Sequence, residues 1–136
     1  MPSSLLAALR RILSSAAAGE HRDLGRRGEA AAERELDARG YRVLARRFRA
    51  AGGELDLVAV RDGVISFVEV KANRPGTGYD GAQRLDAGKR RRIARAAQAF
   101  VASRRLEGAP CRFDLALATV DGDRWQVEIR EGVFEV

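Results

Sequence analysis

Two apolar stretches of this chain carry charges where a buried strand should have none. "GELDLVAV" (53–60) contains Glu54 and Asp56, and "ISFVEVKAN" (65–73) contains Glu69 and Lys71. Both alternate as strands, and Asp62-Gly63 between them is the signature of a two-residue type I′ hairpin. That turn pairs Arg61 with Val64, and so sets Asp56 opposite Glu69 and Glu54 opposite Lys71. Strand alternation then puts Glu54, Asp56 and Val58 on one face with Phe67, Glu69 and Lys71, leaving Leu55, Leu57, Val68 and Val70 for the other. One face is expected to be a polar cluster and the other core. Directly opposed carboxylates destabilise a hairpin by up to ~1 kcal/mol unless a positive charge intervenes. With His21 the only histidine and Cys111 the only cysteine, the donors are hard oxygens, which suit Mg²⁺ or Mn²⁺ and not Zn²⁺. Lys71 then stands where it can position a metal-bound water or neutralise charge developing on a phosphoryl group. The plainer reading is a cross-strand Glu54–Lys71 ion pair with two solvated carboxylates, and the residues alone leave both open.

The elements that must hold these groups are readable from periodicity and punctuation. "DLGRRGEAAAERELDAR" (23–39) is a helix stopped by Gly40, with Leu24, Gly28, Ala32 and Leu36 on one side, small enough to approach a sheet closely. "YRVLARRFR" (41–49) alternates as a strand before the turn "AAGG", and the hairpin follows. A second helix spans about Asp86 to Arg105, burying Ile93, Ala96, Ala97, Phe100 and Val101. "CRFDLALATV" and "DRWQVEIREGVFEV" supply two or three more strands around "DGD". Trp125 and Phe113 fall in these strand patterns and are read as core. The order helix, three strands, helix, two or three strands predicts an α/β fold, borderline α+β, with a mixed β-sheet of about five strands flanked by helices. Residues 1–20 read as an N-terminal amphipathic helix or tail, with Leu5, Leu6, Leu9, Ile12 and Leu13 on one stripe and Gly19 separating it from the domain at 21–136. "PGTGYDG" (75–81) matches G-x-G-x-x-G, but starts too far after its strand and lacks the later acidic residue, so no dinucleotide or other small-molecule cofactor is expected.

Composition narrows the classes further. The 136 residues suit one domain, and no apolar run approaches the roughly 20 residues needed to cross a bilayer, so no membrane partner is expected. A lone cysteine excludes an intrachain disulfide and fits a cytoplasmic protein. The net charge of +6 favours anionic partners. Of 25 basic residues only Lys71 and Lys89 are lysines, so a point-charge ammonium at 71 stands out in an arginine-rich chain. Lys89, Arg90, Arg91, Arg92 and Arg95 rim the second helix, and with Arg74, Arg84 and Tyr79 of the preceding loop they form either a phosphate-gripping surface or an ordinary solvated basic face.

In order along the chain, "RRGEAAAERELDARGYRVLARRFR", "GELDLV", "VEVK", "GKRRRIARAAQAF" and "CRFDLAL" resemble the YraN family of small bacterial proteins. That pattern is similar to archaeal Holliday junction resolvases and to the PD-(D/E)xK nucleases of restriction-endonuclease-like fold. The resemblance spans about residues 22 to 130. It implies a restriction-endonuclease-like nuclease domain at 21–136 in which Asp56 and Glu69 are metal ligands, the Val70 carbonyl is a further ligand and Lys71 is the catalytic lysine. Glu29 matches the first-helix glutamate that completes such sites. The implied activity is Mg²⁺- or Mn²⁺-dependent endonucleolytic hydrolysis of DNA, on branched or repair-intermediate substrates, by a protein for which a homodimer is one arrangement. The alternative is a non-catalytic nucleic-acid-binding protein that keeps the nuclease fold. Ala72-Asn73-Arg74 and "QRLDAGK" depart from the family's usual residues beside the site and put the substrate loop in question.

Overall fold

A computed structural model describes residues 2–76 and 86–134. The chain forms α1 (Pro2–Ala38), β1 (Arg42–Ala50), β2 (Gly53–Arg61), β3 (Val64–Asn73), α2 (Ala87–Ser103), β4 (Cys111–Asp121) and β5 (Arg124–Phe134). Strands lie in sequence order in one five-stranded sheet, antiparallel except for the parallel pair β3–β4, whose crossover is α2. This is the expected restriction-endonuclease-like α/β arrangement. Gly19 does not interrupt the first helix, which is continuous from Pro2. Alanine and leucine around it are strong helix formers, which outweighs the roughly 1 kcal/mol a single glycine costs. The stop at Gly40 is as expected, with the amide of Tyr41 donating to the Leu36 carbonyl (3.0 Å).

The sheet is apolar on both faces. Leu55, Val58, Ile65 and Phe67 pack under Ile93, Ala96, Ala97 and Phe100 of α2. Leu57, Ala59, Val68 and Ala116 pack under Ala32 and Leu36 of α1. The expectation of one polar and one core face is therefore corrected: a central strand covered by a helix on each side buries both of its faces. Two glycines let the helices settle. A Cβ at Gly28 would collide with that of Ala72 on β3, and a Cβ at Gly53 would collide with the carbonyl of Arg92 on α2. Among the described residues no helix is long and apolar enough to cross a membrane.

The Asp62-Gly63 turn has φ of 52° and 77°, and the β2–β3 register runs from Arg61↔Val64 to Leu57↔Val68 as anticipated. Strict alternation fails just beyond that point. Arg47, in β1, has a φ of 49°, a left-handed value rare for a residue bearing a side chain. As a result the consecutive Arg46 and Arg47 both reach α1, to Glu33 (2.5 Å) and Glu29 (2.9 Å), while Phe48 turns to the α2 cluster. On the facing strand Leu55 joins the α2 cluster and Leu57 the α1 cluster, so the two do not share a face. Asp56 sits at this break.

Candidate active site

The β2–β3 ladder ends one step before Asp56 and Glu69, and their carboxyl groups come together there, close enough to share a hydrogen bond. Beyond the end of the β2–β3 ladder, the amide of Val70 donates to Oδ2 of Asp56 (2.8 Å). Burial, followed by the charge of Glu69, pushes the Asp56 carboxyl from 3.8 up to about 8, against the opposing pull of the Val70 amide. The charge of Glu29 adds to the upward shift. Burial and a like charge together keep this carboxyl far from its ordinary range.

Glu69 has what Asp56 lacks. Its Oε1 receives the ammonium of Lys89 at 2.7 Å and that of Lys71 at 3.6 Å, so the only two lysines of the chain converge on one oxygen. Burial, followed by the neighbouring Lys89, lowers the Lys71 ammonium; for Lys89 burial is again the largest single effect, but the hydrogen bond and charge of Glu69, with Lys71 and Asp56, together outweigh it and leave that ammonium raised. Lys89 arrives from the first turn of α2, which Asp86 caps by accepting from the Lys89 amide (2.8 Å).

Other expectations resolve differently. Glu54 does not pair with Lys71; its partner is Arg49, across the β1–β2 turn (3.6 Å). The β2–β3 ladder ends at Leu57↔Val68, short of the step that would have carried Glu54 to Lys71. Glu29 is near enough to act on Asp56, but its Oε2 is held by Nε of Arg47 at 2.9 Å. Val70 touches the site through its amide. The basic run of α2 divides by helical angle: Lys89 and Arg92, three apart, face the carboxylates, while Arg90 lies over the ring of Phe134 (5.8 Å) and Arg91 is exposed. Arg74 follows β3 and is exposed. Arg84 and Tyr79 lie outside the described residues.

Asp56, Glu69, Lys89 and Arg92 line an open cleft of about 610 Å³, bounded by Arg49, Glu54 and the glycines of the β1–β2 turn. Arg49 had no place in the reading of the sequence, although it lies five residues before Glu54 across "AAGG", a spacing that pairs them in a short hairpin. Two carboxylates and no sulfur or imidazole suit a hard divalent ion, which is commonly held by one or two carboxylates with water filling the remaining positions. Among the described residues no third carboxylate, imidazole or thiol joins these two in a metal-binding group.

A family model described as "Uncharacterised protein family UPF0102" matches residues 28–118, from the Gly28 contact into β4. The chain is similar to a UPF0102 protein of Myxococcus xanthus (38% identity over 120 residues, 88% of this chain and 95% of the relative). Similar proteins, also described as UPF0102, occur in Symbiobacterium thermophilum (44% identity; 69% of this chain, 80% of the relative) and a Synechococcus species (45%; 70% and 74%).

Proposed function

This chain belongs to the UPF0102 family, and from its site we propose that it is a metal-dependent nuclease, hydrolysing phosphodiester bonds of DNA with Mg²⁺ or Mn²⁺. The observation that carries the reading is the Asp56–Glu69 pair. Two carboxyl groups are brought together in a cleft, one of them pushed up to about 8 by burial and by the charge of the other. Such groups concentrate where chemistry is done.

Asp56 and Glu69 would hold the ion, with the Val70 carbonyl and Glu29 as the remaining candidates carried by family resemblance. When bound, a divalent ion supplies Lewis-acid polarisation of a phosphoryl oxygen and a more acidic water. The other tasks fall to the chain itself. Lys71, whose ammonium is lowered by burial, gives up its proton more readily than an exposed lysine and is suited to orienting and deprotonating the attacking water. Arg92 and Arg49 line the cleft as permanently charged donors for phosphate oxygens, and Val70 fixes the Asp56 carboxylate through its amide. The cleft is open and polar, in keeping with a polymeric anion. The resolvase resemblance makes branched DNA the first substrate class to test, and a homodimer would present two such clefts to it.

The test is cleavage of four-way junction, flap and single-stranded DNA with Mg²⁺ or Mn²⁺. Wild type is expected to cut at least one, and Asp56→Ala and Lys71→Ala to lose more than about a hundredfold in rate while still binding. Binding by wild type without cleavage at any Mn²⁺ concentration would establish the non-catalytic nucleic-acid-binding reading in its place.

A further inference from the structure

One contact in the cleft has no place in the residue roles above. Lys89 projects from α2 into the carboxylate pair, and its Nζ lies 2.7 Å from Glu69 Oε1, closer than Lys71 at 3.6 Å on the same oxygen. We propose that Lys89 is the resident cation of this site. Its ammonium occupies the Glu69 oxygen that a divalent metal needs, so metal and Lys89 compete and loading requires the lysine to swing away. The proposal rests on the metal-site reading of Asp56 and Glu69 and adds a residue from another element.

Three observations carry it. The first is the anchoring of Lys89: Asp86 caps its amide at 2.8 Å, so the side chain starts from a fixed point at the mouth of the cleft. The second is residue type. In a chain with 23 arginines, the residue placed against Glu69 is one of only two lysines. An ammonium is a compact point charge able to stand in for a single ion, whereas a guanidinium is a broad planar fork that would span both carboxylates. The third is what surrounds the pair. Among the described residues no third metal-ligating side chain gathers at Asp56 and Glu69, and the nearest group completing the cluster is this ammonium. Lys89 supplies the positive charge that neutralises Glu69 beside the buried Asp56 carboxyl. Once displaced, it lies one helical turn from Arg92 on the wall of the same cleft, positioned to meet a phosphate oxygen.

Calorimetric titration of MnCl₂ into the full-length protein tests this without reference to catalysis. Removing the competing charge in Lys89→Met should tighten Mn²⁺ binding about tenfold, the scale of one charge-assisted hydrogen bond. Lys89→Gln should do the same, guarding against a packing artefact of methionine, and Lys71→Met should change affinity less because its ammonium is farther from Oε1. Equal or weaker binding by both Lys89 variants, with a stoichiometric site in wild type, overturns the competition and leaves the metal-site reading standing. Binding by the Lys89 variants alone supports it in its strongest form. No binding by any of these proteins overturns both.

Discussion

The same sheet carries two acidic clusters, and they differ in how completely their hydrogen bonds are made. Asp114, on β4, is 1% exposed and saturated. It accepts from Ser66 Oγ, from the Gly132 amide (2.9 Å) and from Arg112 through Nε (2.8 Å) and Nη2 (2.9 Å). Arg112 in turn donates to the Tyr41 hydroxyl (2.7 Å), and Arg61 lies over the Tyr41 ring (4.4 Å). The hydrogen bonds to Asp114 push the Arg112 guanidinium further up, so Arg112 stays charged. This network ties β3, β4, β5 and the start of β1 together and leaves no room for a ligand. Asp56 and Glu69, towards the other end of β3, are the reverse: among the described residues Asp56 accepts from the Val70 amide, Glu69 takes two lysines on one oxygen, and the cluster opens to a cleft. A buried acid whose bonds are all made holds the fold, and one whose bonds are not all made is available for chemistry.

The contrast is tested most severely by deleting each acid. Asp114→Ala strands Arg112, Ser66 and the Gly132 amide at a buried position, and is expected to cost about 3–5 kcal/mol in urea denaturation. Asp56→Asn keeps an acceptor for the Val70 amide and removes a repelling charge, so its stability should equal or exceed wild type. Comparable losses for the two would erase the distinction. Gly53→Ala comes next. Its methyl would meet the Arg92 carbonyl, so α2 must shift, costing about 1–3 kcal/mol and moving Lys89 and Arg92 off the carboxylates. A crystal structure would register the shift, and Mn²⁺ affinity should rise as Lys89 leaves Glu69.

A further effect is expected with pH. The Asp56 carboxyl is raised from 3.8 to about 8 in the metal-free fold, so between those values the folded state holds a proton that the unfolded chain has released. Stability from this group is full below about 4 and is lost as pH rises through about 8. Thermal melts of metal-free protein should therefore fall across that window in wild type and fall less in Asp56→Asn, with Mn²⁺ restoring wild type at the alkaline end. The smallest effect belongs to Arg47. Arg47→Gly relieves about 1 kcal/mol of left-handed strain but gives up the Glu29 ion pair, so the net stability change should be under about 1 kcal/mol while Glu29 is freed to approach Asp56. The readout is Mn²⁺ affinity, expected to rise.

Much of this arrangement could be read from local sequence, and the omissions have a common origin. The Asp62-Gly63 turn specified a register that brought Asp56 to Glu69 from two residues alone, and the small-residue side of α1 announced its close approach to the sheet. What could not be read was how strands depart from ideality. The φ of Arg47 shifts which face Leu55 and Asp56 present, and nothing in "ARRFR" marks that residue as left-handed. Lys89 appeared to be one cation in a basic run because its partner lies twenty residues away across the crossover, a contact no periodicity encodes. Asp114 was passed over although "RFDLAL" places an acid inside an apolar strand, the same signal that singled out Glu69.

The central claim is that the unsaturated pair is a metal centre and the saturated one is not. Calorimetric titration of Mn²⁺ into wild type, Asp56→Ala and a Ser66→Ala variant that perturbs the Asp114 network tests it most directly. The account predicts one stoichiometric site in wild type and in Ser66→Ala, and none in Asp56→Ala. A site that survives Asp56→Ala, or is lost with Ser66→Ala while the fold is intact, would contradict it.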